Sequence, residues 1–480
     1  MKQDHLDRHP GVTNRATPSR RDFLQLLGTG ALSLSLGGLA GCGQTSRRRP
    51  NIVFILTDDH RFDAMGNAGH PWLSTPNLDR LSTDGVRFTN AFVTTSLCSP
   101  SRASFLTGCY AHTHGVVANE LNDPPPSLPT FPRQLHQAGY ETAFIGKWHQ
   151  ARKSTPRPGF DHWVSFNGQG HYNRNTFNVD GEWVLSRNYI TDELTAYAER
   201  FLRRDRERPF LLCLSHKAVH TPVRPAPRHR DYFRDERVFS QDRPGDELDS
   251  KPDWGGRRRE FSNWSHYIRD YMRCLVGVDE SVGTILDCLA EQQLLDDTVV
   301  VYAGDNGYLH GEHGGLWDKR AAYDPSIRIP LLMRYPRLVN PGSVCRELVL
   351  NIDLAPTMLQ VAGVSTPEYM QGQSWLDQLA GQPGRSSFLY EYFQEQGAVP
   401  TVLAVRDRRW KYVTYPRPET LGPDEPWHTD ELYDLLNDTH ELHNRISDPE
   451  LHSTVNQLQR ELTRLRAETD YPVPSAGLNG

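Results

Sequence analysis

The chain has 480 residues, 37% hydrophobic and 23% charged, with 37 glycines and 34 prolines. That length exceeds what one small core can organise and fits a large α/β domain with a smaller companion. A formal net charge of −6 argues against a general nucleic-acid binder, so an anionic ligand would need a local basic site. Seven cysteines without a CxxC pair make neither a zinc cage nor a disulfide framework.

The first element is a targeting segment. "SRRDFLQ" (19–25) is a twin-arginine element, followed by an apolar run too broken by Gly, Ser and Thr to span a membrane. Leu39-Ala40-Gly41-Cys42 resembles a lipobox, whose cysteine is lipidated; ordinary cleavage nearby, discarding Cys42, is the alternative. Residues 1–41 thus read as an export signal and 42–50 as a basic linker. The expected protein is periplasmic or on the cell surface, delivered by the twin-arginine export machinery and touching the membrane only through a lipid at Cys42. That route carries folded proteins and suits a chain that first acquires a modification or a metal.

"NIVFILTDDH" (51–60) reads as a buried parallel strand with a loop at its C-terminal end. "FPRQLHQAGYETAFIGKWH" (131–149) reads as a helix, a Gly139 stop and a strand ending in Lys147 and His149. "RPFLLCLSHKAVH" (208–220) reads as a strand ending near His220, "DDTVVVYAGDNG" (296–307) as one ending in Asp305 and Asn306, and "IRIPLLMRYP" (327–336) as another. Strands alternating with helices predict a mostly parallel sheet flanked by helices, with its ligand beyond the carboxyl ends of the strands. Residues 222–262 read as a long surface excursion. From Ser386 onward "SFLYEYF", "TVLAVRD" and "RRWKYVTY" predict a smaller antiparallel sheet. Leu451, Val455, Leu458, Leu462 and Leu465 mark a helix face that packs on it. The division is 51–385 for the catalytic domain and 386–480 for a C-terminal α+β subdomain.

Two sets of residues carry chemistry. In "TTSLCSPSRASFLTG" (94–108), Ser99 is placed as a helix cap, Pro100 in the first turn and Gly108 as the stop. Cys98 then lies just before a helix N-terminus, where negative charge is favoured, with Arg102 on the same face. Alone, such a thiol is a nucleophile, a metal ligand, a buried structural cysteine or a precursor. Asp58, Asp59, Asp305 and Asn306 offer only oxygen ligands at two strand ends, a set for Ca²⁺ or Mg²⁺ rather than Zn²⁺.

Cys98-Ser99-Pro100-Ser101-Arg102 with Leu106-Thr107-Gly108 resembles the signature of type I sulfatases. "TDDH", "GKWH", "KAVHTP", "GDNG", "WDKR" and "ELYDLLND" are similar to the family's other blocks, in order; "THELHNR" departs from the usual continuation. The resemblance implies an alkaline-phosphatase-like fold and a Cys98 oxidised to formylglycine by a maturation enzyme. It implies one Ca²⁺, or Mg²⁺, held by Asp58, Asp59, residue 98, Asp305 and Asn306. Arg102 and Lys147 would stabilise the hydrated aldehyde and the developing charge, and His149 would assist its collapse. His220 and Lys319 would contact sulfate and help the leaving oxygen gain a proton. The aromatic and amide-rich stretch 159–183 suits a sugar, with Gln169, His171 and Tyr172 as candidate contacts; a rim hairpin packing on itself fits the same composition. "SLCSPSRAS", "NGQG", "DKR" and "YMQGQS" together are similar to bacterial sulfatases grouped with glucosamine-6-sulfatases, a resemblance that implies 6-O-sulfated N-acetylglucosamine as substrate, with uronate 2-O-sulfate, N-sulfoglucosamine and choline sulfate as alternatives. The rival readings are a formylglycine-dependent phosphonate or phosphate ester hydrolase and an inactive glycan-binding lipoprotein.

Overall fold

The run NIVFILT forms β1 (Asn51–Thr57), and its side chains alternate between two cores. Ile52, Phe54 and Leu56 enter one, Val53 and Ile55 the other. A strand covered on both faces must be apolar throughout, which explains its lack of polar alternation. In the computed structural model, residues 49–119, 122–238, 246–251, 262–393, 399–418 and 428–472 are described. The export signal 1–41, the lipobox Cys42 and residues 239–245 and 252–261 of the surface excursion lie outside them. No helix of the described residues is long and apolar enough to cross a membrane.

β1 pairs in parallel with β8 (Phe210–Ser215) and β9 (Thr298–Gly304), and β8 continues to β4 (Glu141–Gly146) and β5 (His162–Ser165), also parallel. The margins are largely antiparallel. Beyond β5 lies the hairpin of β6 (Asn173–Val179) and β7 (Glu182–Tyr189); beyond β9 lie β10 (Leu331–Arg334), β2 (Val86–Phe88) and β11 (Ser343–Cys345). Helices Pro76–Thr83, Ile190–Leu202 and Trp264–Glu291 cover one face. Helices Cys98–Thr107, Phe131–Gln137 and Leu354–Val361 cover the other. A short pairing of β3 (Ala91–Phe92) with β12 (Val349–Leu350) leads towards the second sheet.

That sheet is antiparallel: β13 (Ser387–Tyr392), β14 (Val402–Asp407), β15 (Trp410–Thr414) and β16 (Glu431–Asp434), in this order. Leu458, Leu462 and Leu465 of helix His452–Glu468 are buried against it, as their spacing predicts. The apolar core runs on into the large sheet, with Phe388 and Phe92 rings 5.1 Å apart. A buried charge cluster joins the same region: Lys411 Nζ donates to Asp324 at 2.7 Å and Glu441 at 2.5 Å, and Arg406 pairs with Asp324 at 3.0 Å. Removing one member would leave the others uncompensated, a loss of about 3–5 kcal/mol.

Two expectations need correction. β8 stops at Ser215, and the next five residues are a loop, because Asp58 N–H donates to Ala218 O (2.9 Å) and Val219 N–H to Asp58 O (2.7 Å). The helix at 98 begins with Cys98 itself, its N-cap is Leu97, and Ser99 makes no cap. Ser99 Oγ bonds the His149 carbonyl instead, while Asn119 Oδ1 accepts the Ser99 N–H at 3.0 Å.

Two buried histidines, His114 and His216, set a pH limit on stability. Burial pushes His114 down to about 3 and His216 down to about 4, against 6.5 when exposed. The unfolded chain therefore binds these protons first. Their stabilising contribution is complete above about pH 6.5 and is lost as pH falls towards 4. The melting temperature should fall across this window, and His216→Gln should make the slope shallower. An unchanged slope in that variant, at fixed ionic strength, would remove His216 from the account.

Candidate active site

Four adjacent parallel strands, β9, β1, β8 and β4, deliver polar residues to one rim. Asp305 and Asn306 follow β9, Asp58 and Asp59 follow β1, Lys217 and His220 follow β8, and Lys147 and His149 follow β4. Strand-like bonds continue into the rim: Asp305 N–H to Thr57 O (2.8 Å), His216 N–H to Leu56 O (2.8 Å) and Lys147 N–H to Ser215 O (2.8 Å). Asp59 adopts φ 58°, and Tyr271 Oη donates to its carbonyl at 2.7 Å. Asp58, Lys147 and Asp305 thus directly follow sheet backbone, while His149 and His220 lie further along the loops that leave it.

The Cys98–Thr107 helix points its first turn at this rim, and Gly108 ends it at φ 69°. Cys98 Sγ lies 3.4 Å from Asp58 Oδ1, and Lys319 Nζ donates to it at 3.0 Å. Lys319 also bonds Asp59, and Lys147 bonds Asp58. Arg102 Nε donates to Asp305 Oδ2 at 2.9 Å, while its terminal nitrogens reach Lys147 O (2.7 Å) and Asp58 (3.6 Å). Every sequence-predicted metal residue, with Arg102, Lys147 and Lys319, is buried in one cluster.

Charge in the cluster is tightly matched. Burial would raise Asp58, but Lys147, helped by His220, Arg102 and Lys319, holds it well below the usual carboxylate range. Burial and the Asp58 charge raise Asp305, against the pull of Arg102. Burial disfavours the Lys319 ammonium, yet Asp59 and its neighbours raise it well above its usual value. Burial, with Lys147, depresses His149. Burial pushes His220 down to about 4. Burial, then Asp58, pushes the Cys98 thiol up to about 12, so with these protein charges alone it is a weak nucleophile at neutral pH. A cation among the carboxylates would act in the opposite direction.

The donor set fits a hard divalent ion. Carboxylate oxygens of Asp58, Asp59 and Asp305 lie within 4.8 Å of one another. Asp59 Oδ2 and Asn306 Oδ1 are buried oxygens without a hydrogen-bond partner, the state expected of ligands aimed at a cation. A second group within the same distance, Asp58, Cys98 and His220, shares Asp58 with the first.

The three candidate sugar contacts separate. Gln169 Oε1 accepts from Lys147 Nζ at 2.5 Å and so joins the cluster. His171 is exposed. Tyr172 is 3% exposed and its hydroxyl donates to the His220 carbonyl at 2.9 Å, so it braces the loop. Sequence reasoning missed Lys217, buried at the same rim. Its place between a buried strand and His220, inside the quoted "KAVHTP", was the available signal.

Comparison with known proteins adds an independent line. The family description "Sulfatase" matches residues 50–364, and "N-sulphoglucosamine sulphohydrolase, C-terminal" matches 311–468. An N-acetylglucosamine-6-O-sulfatase of Bacteroides thetaiotaomicron is 31% identical, over 91% of this chain and 89% of its own. The human N-acetylglucosamine-6-sulfatase is 30% identical over 80% and 74%. A protein solved in complex with its substrate D-glucosamine-2-N,6-O-disulfate superposes with TM-score 0.80 at 29% identity, covering 89% of this chain and 99% of that one. A phosphonate monoester hydrolase of Agrobacterium radiobacter, at TM-score 0.71 and 21% identity over 88% and 96%, shares the alkaline-phosphatase-like fold.

The backbone beneath Lys147 allows a test of how far its position matters. Gly146 has φ 125°, and a Cβ there would meet Ser215 O at 1.8 Å. Gly146→Ala must push β4 away from β8 where Lys147 is anchored. Misplacing a site by about 1 Å costs about 10²-fold, so kcat on a small aryl sulfate should fall by about that factor. A wild-type kcat in the folded variant would mean that the junction yields without moving Lys147.

Proposed function

The chain belongs to the sulfatase family, a family of sulfuric ester hydrolases, and we propose that it removes 6-O-sulfate from N-acetylglucosamine in a glycan through formylglycine at position 98 and one Ca²⁺. The observation that carries the substrate is the 31% identity to an N-acetylglucosamine-6-O-sulfatase along nearly the whole chain. The chemistry is supported by residue 98, set at a helix start among three carboxylates and three cations.

Formylglycine, as its hydrate, supplies an oxygen nucleophile for sulfur and a second hydroxyl through which sulfate leaves by C–O cleavage. Asp58, Asp59, Asp305, Asn306 and residue 98 would hold Ca²⁺, or Mg²⁺, which supplies positive charge to the sulfate oxygens. Lys319, 3.0 Å from residue 98, holds charge that develops there. Arg102 links Asp58 and Asp305 and fixes both carboxylates. His149, neutral because burial and Lys147 depress it, takes a proton from residue 98. His220 Nε2 stands 3.9 Å from Asp59. It is neutral at pH 7 until an anionic ester raises it, and it then hands a proton to the departing sugar oxygen. Export and a lipid at Cys42 are part of the same proposal, supported by Arg20-Arg21 and Leu39–Cys42.

The direct test is sulfate release from N-acetylglucosamine 6-O-sulfate by protein from a host with a maturation enzyme. The peptide spanning position 98 should show aldehyde in place of thiol, and metal analysis about one Ca²⁺ per chain. Full activity with an unmodified thiol, or two zinc ions per chain, would overturn the mechanism.

Leaving-group dependence separates the proton donor from the nucleophile's support. A sugar alkoxide needs a proton as the S–O bond breaks, whereas an activated aryl oxide does not. His220→Ala should lose about 10²–10⁴-fold in kcat/KM on the sugar sulfate and far less on an aryl sulfate. Arg102→Ala should lose heavily on both. Equal losses for His220→Ala would make it a sulfate-binding residue and leave Lys319 as the acid.

A further inference from the structure

Beside the cluster stands a buried cation that the mechanism does not use. Lys217 is 1% exposed, and its ammonium makes no hydrogen bond. It borders a cavity of about 190 Å³ together with His171, Tyr172, Asn173 and Arg224. At about 30 Å³ per water, that is room for a sulfate or carboxylate and part of a sugar ring. The nearest compensation is the face of Tyr172, with Nζ 4.9 Å from the ring centre. A cation–π contact offsets about 2 kcal/mol of a desolvation cost of several kcal/mol. Burial, with Lys147, pushes Lys217 down to about 8. Asp58 and Asp59 pull the other way, but they are already bonded to Lys147 and Lys319.

The cavity is built rather than incidental. Asn175 accepts the His171 N–H at 2.8 Å and donates to the His171 carbonyl at 2.6 Å, fixing that wall. Tyr172 bonds the His220 carbonyl, and the His220 N–H donates to Lys217 O at 3.0 Å. The cavity therefore abuts the loop that carries the proposed proton donor. Arg224 brings a second cation from the exposed side.

We propose that Lys217 and Arg224 form a subsite for a second anionic group of the substrate, a sulfate or a carboxylate, beside the ester that is hydrolysed. An anion there completes the coordination of the buried ammonium and pairs with a guanidinium suited to planar or tetrahedral oxyanions. The proposal rests on the sulfatase reading for the reaction and deepens it by naming the class of substrate, a sugar sulfate carrying a further negative charge.

The test is a ratio of kcat/KM values for paired esters. One pair is D-glucosamine 2-N,6-O-disulfate against N-acetylglucosamine 6-O-sulfate. The other is N-acetylglucosamine 6-O-sulfate linked to a uronic acid against the same sugar linked to a neutral hexose. The pair that wild type prefers identifies sulfate or carboxylate as the group bound. Lys217→Met should lower that preference by about 10–100-fold, mostly through KM, as expected for loss of a charged hydrogen bond. Lys217→Arg should restore part of it, and exposed Arg224→Gln should lower it at least threefold even if the Met variant fails to fold. No preference in wild type, or equal losses on both members of a pair, would overturn the subsite. If wild type cleaves aryl sulfates but no glucosamine 6-sulfate, the substrate reading alone fails. The same ratio, from an aryl sulfate with an ortho carboxylate and its parent, then decides the subsite.

Discussion

The site depends on keeping Asp58, Asp59 and Asp305 ionisable while their oxygens lie within 4.8 Å of one another. At that distance two carboxylates repel by about 3–4 kcal/mol at an effective dielectric of 20. Each is answered by its own cation: Lys147 on Asp58, Lys319 on Asp59 and Arg102 on Asp305. As a set the six groups are neutral, which is what permits their burial. A divalent cation entering the set leaves it positive by two charges, and a sulfate monoester brings back one. Metal loading would thus create a local attraction for an anionic ester in a chain whose overall charge is −6.

Such matching demands positional accuracy, and the parallel sheet supplies it. Asp58 and Asp59 follow β1, Lys147 follows β4 and Asp305 follows β9, strands of one sheet though far apart in the chain, while Arg102 comes from the Cys98–Thr107 helix and Lys319 from the segment between β9 and β10. The bonds from Asp305 N to Thr57 O and from Lys147 N to Ser215 O carry the sheet spacing past the strand ends. The Cys98 helix is tied to two of these strand ends, through Arg102 to Asp305 and through Ser99 to His149. A shift of any one strand would change several acid–cation distances together. This is why the Gly146 contact with Ser215 bears on chemistry as well as on packing.

What was legible in the sequence follows the same division. Continuous apolar runs ending in Asp, Lys or His gave β1, β4, β8 and β9 and the rim, because a strand buried on both faces leaves a one-dimensional mark. The spacing of Leu458, Leu462 and Leu465 gave the last helix for a similar reason. The Ser99 cap was misplaced because its hydroxyl is claimed by His149, fifty residues away, and a local preference lost to a tertiary bond. "ELYDLLND" was read as a family block without a structural assignment; its first four residues form β16, whose Glu431 accepts from Tyr323 Oη at 2.8 Å. Lys217 was missed because lysine in a loop ordinarily reads as solvated. Only packing against Tyr172 shows it to be buried.

Two of the three residues singled out as sugar contacts are bonded into the acid–cation cluster or the loop beside it. Gln169, on the loop after β5, is bonded to Lys147, the cation that holds Asp58. Tyr172, three residues on, is bonded to the loop of His220 and faces Lys217. A sugar group that engages Gln169 competes with Lys147 for it, and so alters how firmly Lys147 holds Asp58. A contact made through Gln169 would therefore enter kcat as well as KM, unlike one made by Lys217, whose ammonium bonds none of the carboxylates. A substitution at Gln169 would alter the electrostatics of Lys147 and Asp58 whatever its effect on binding.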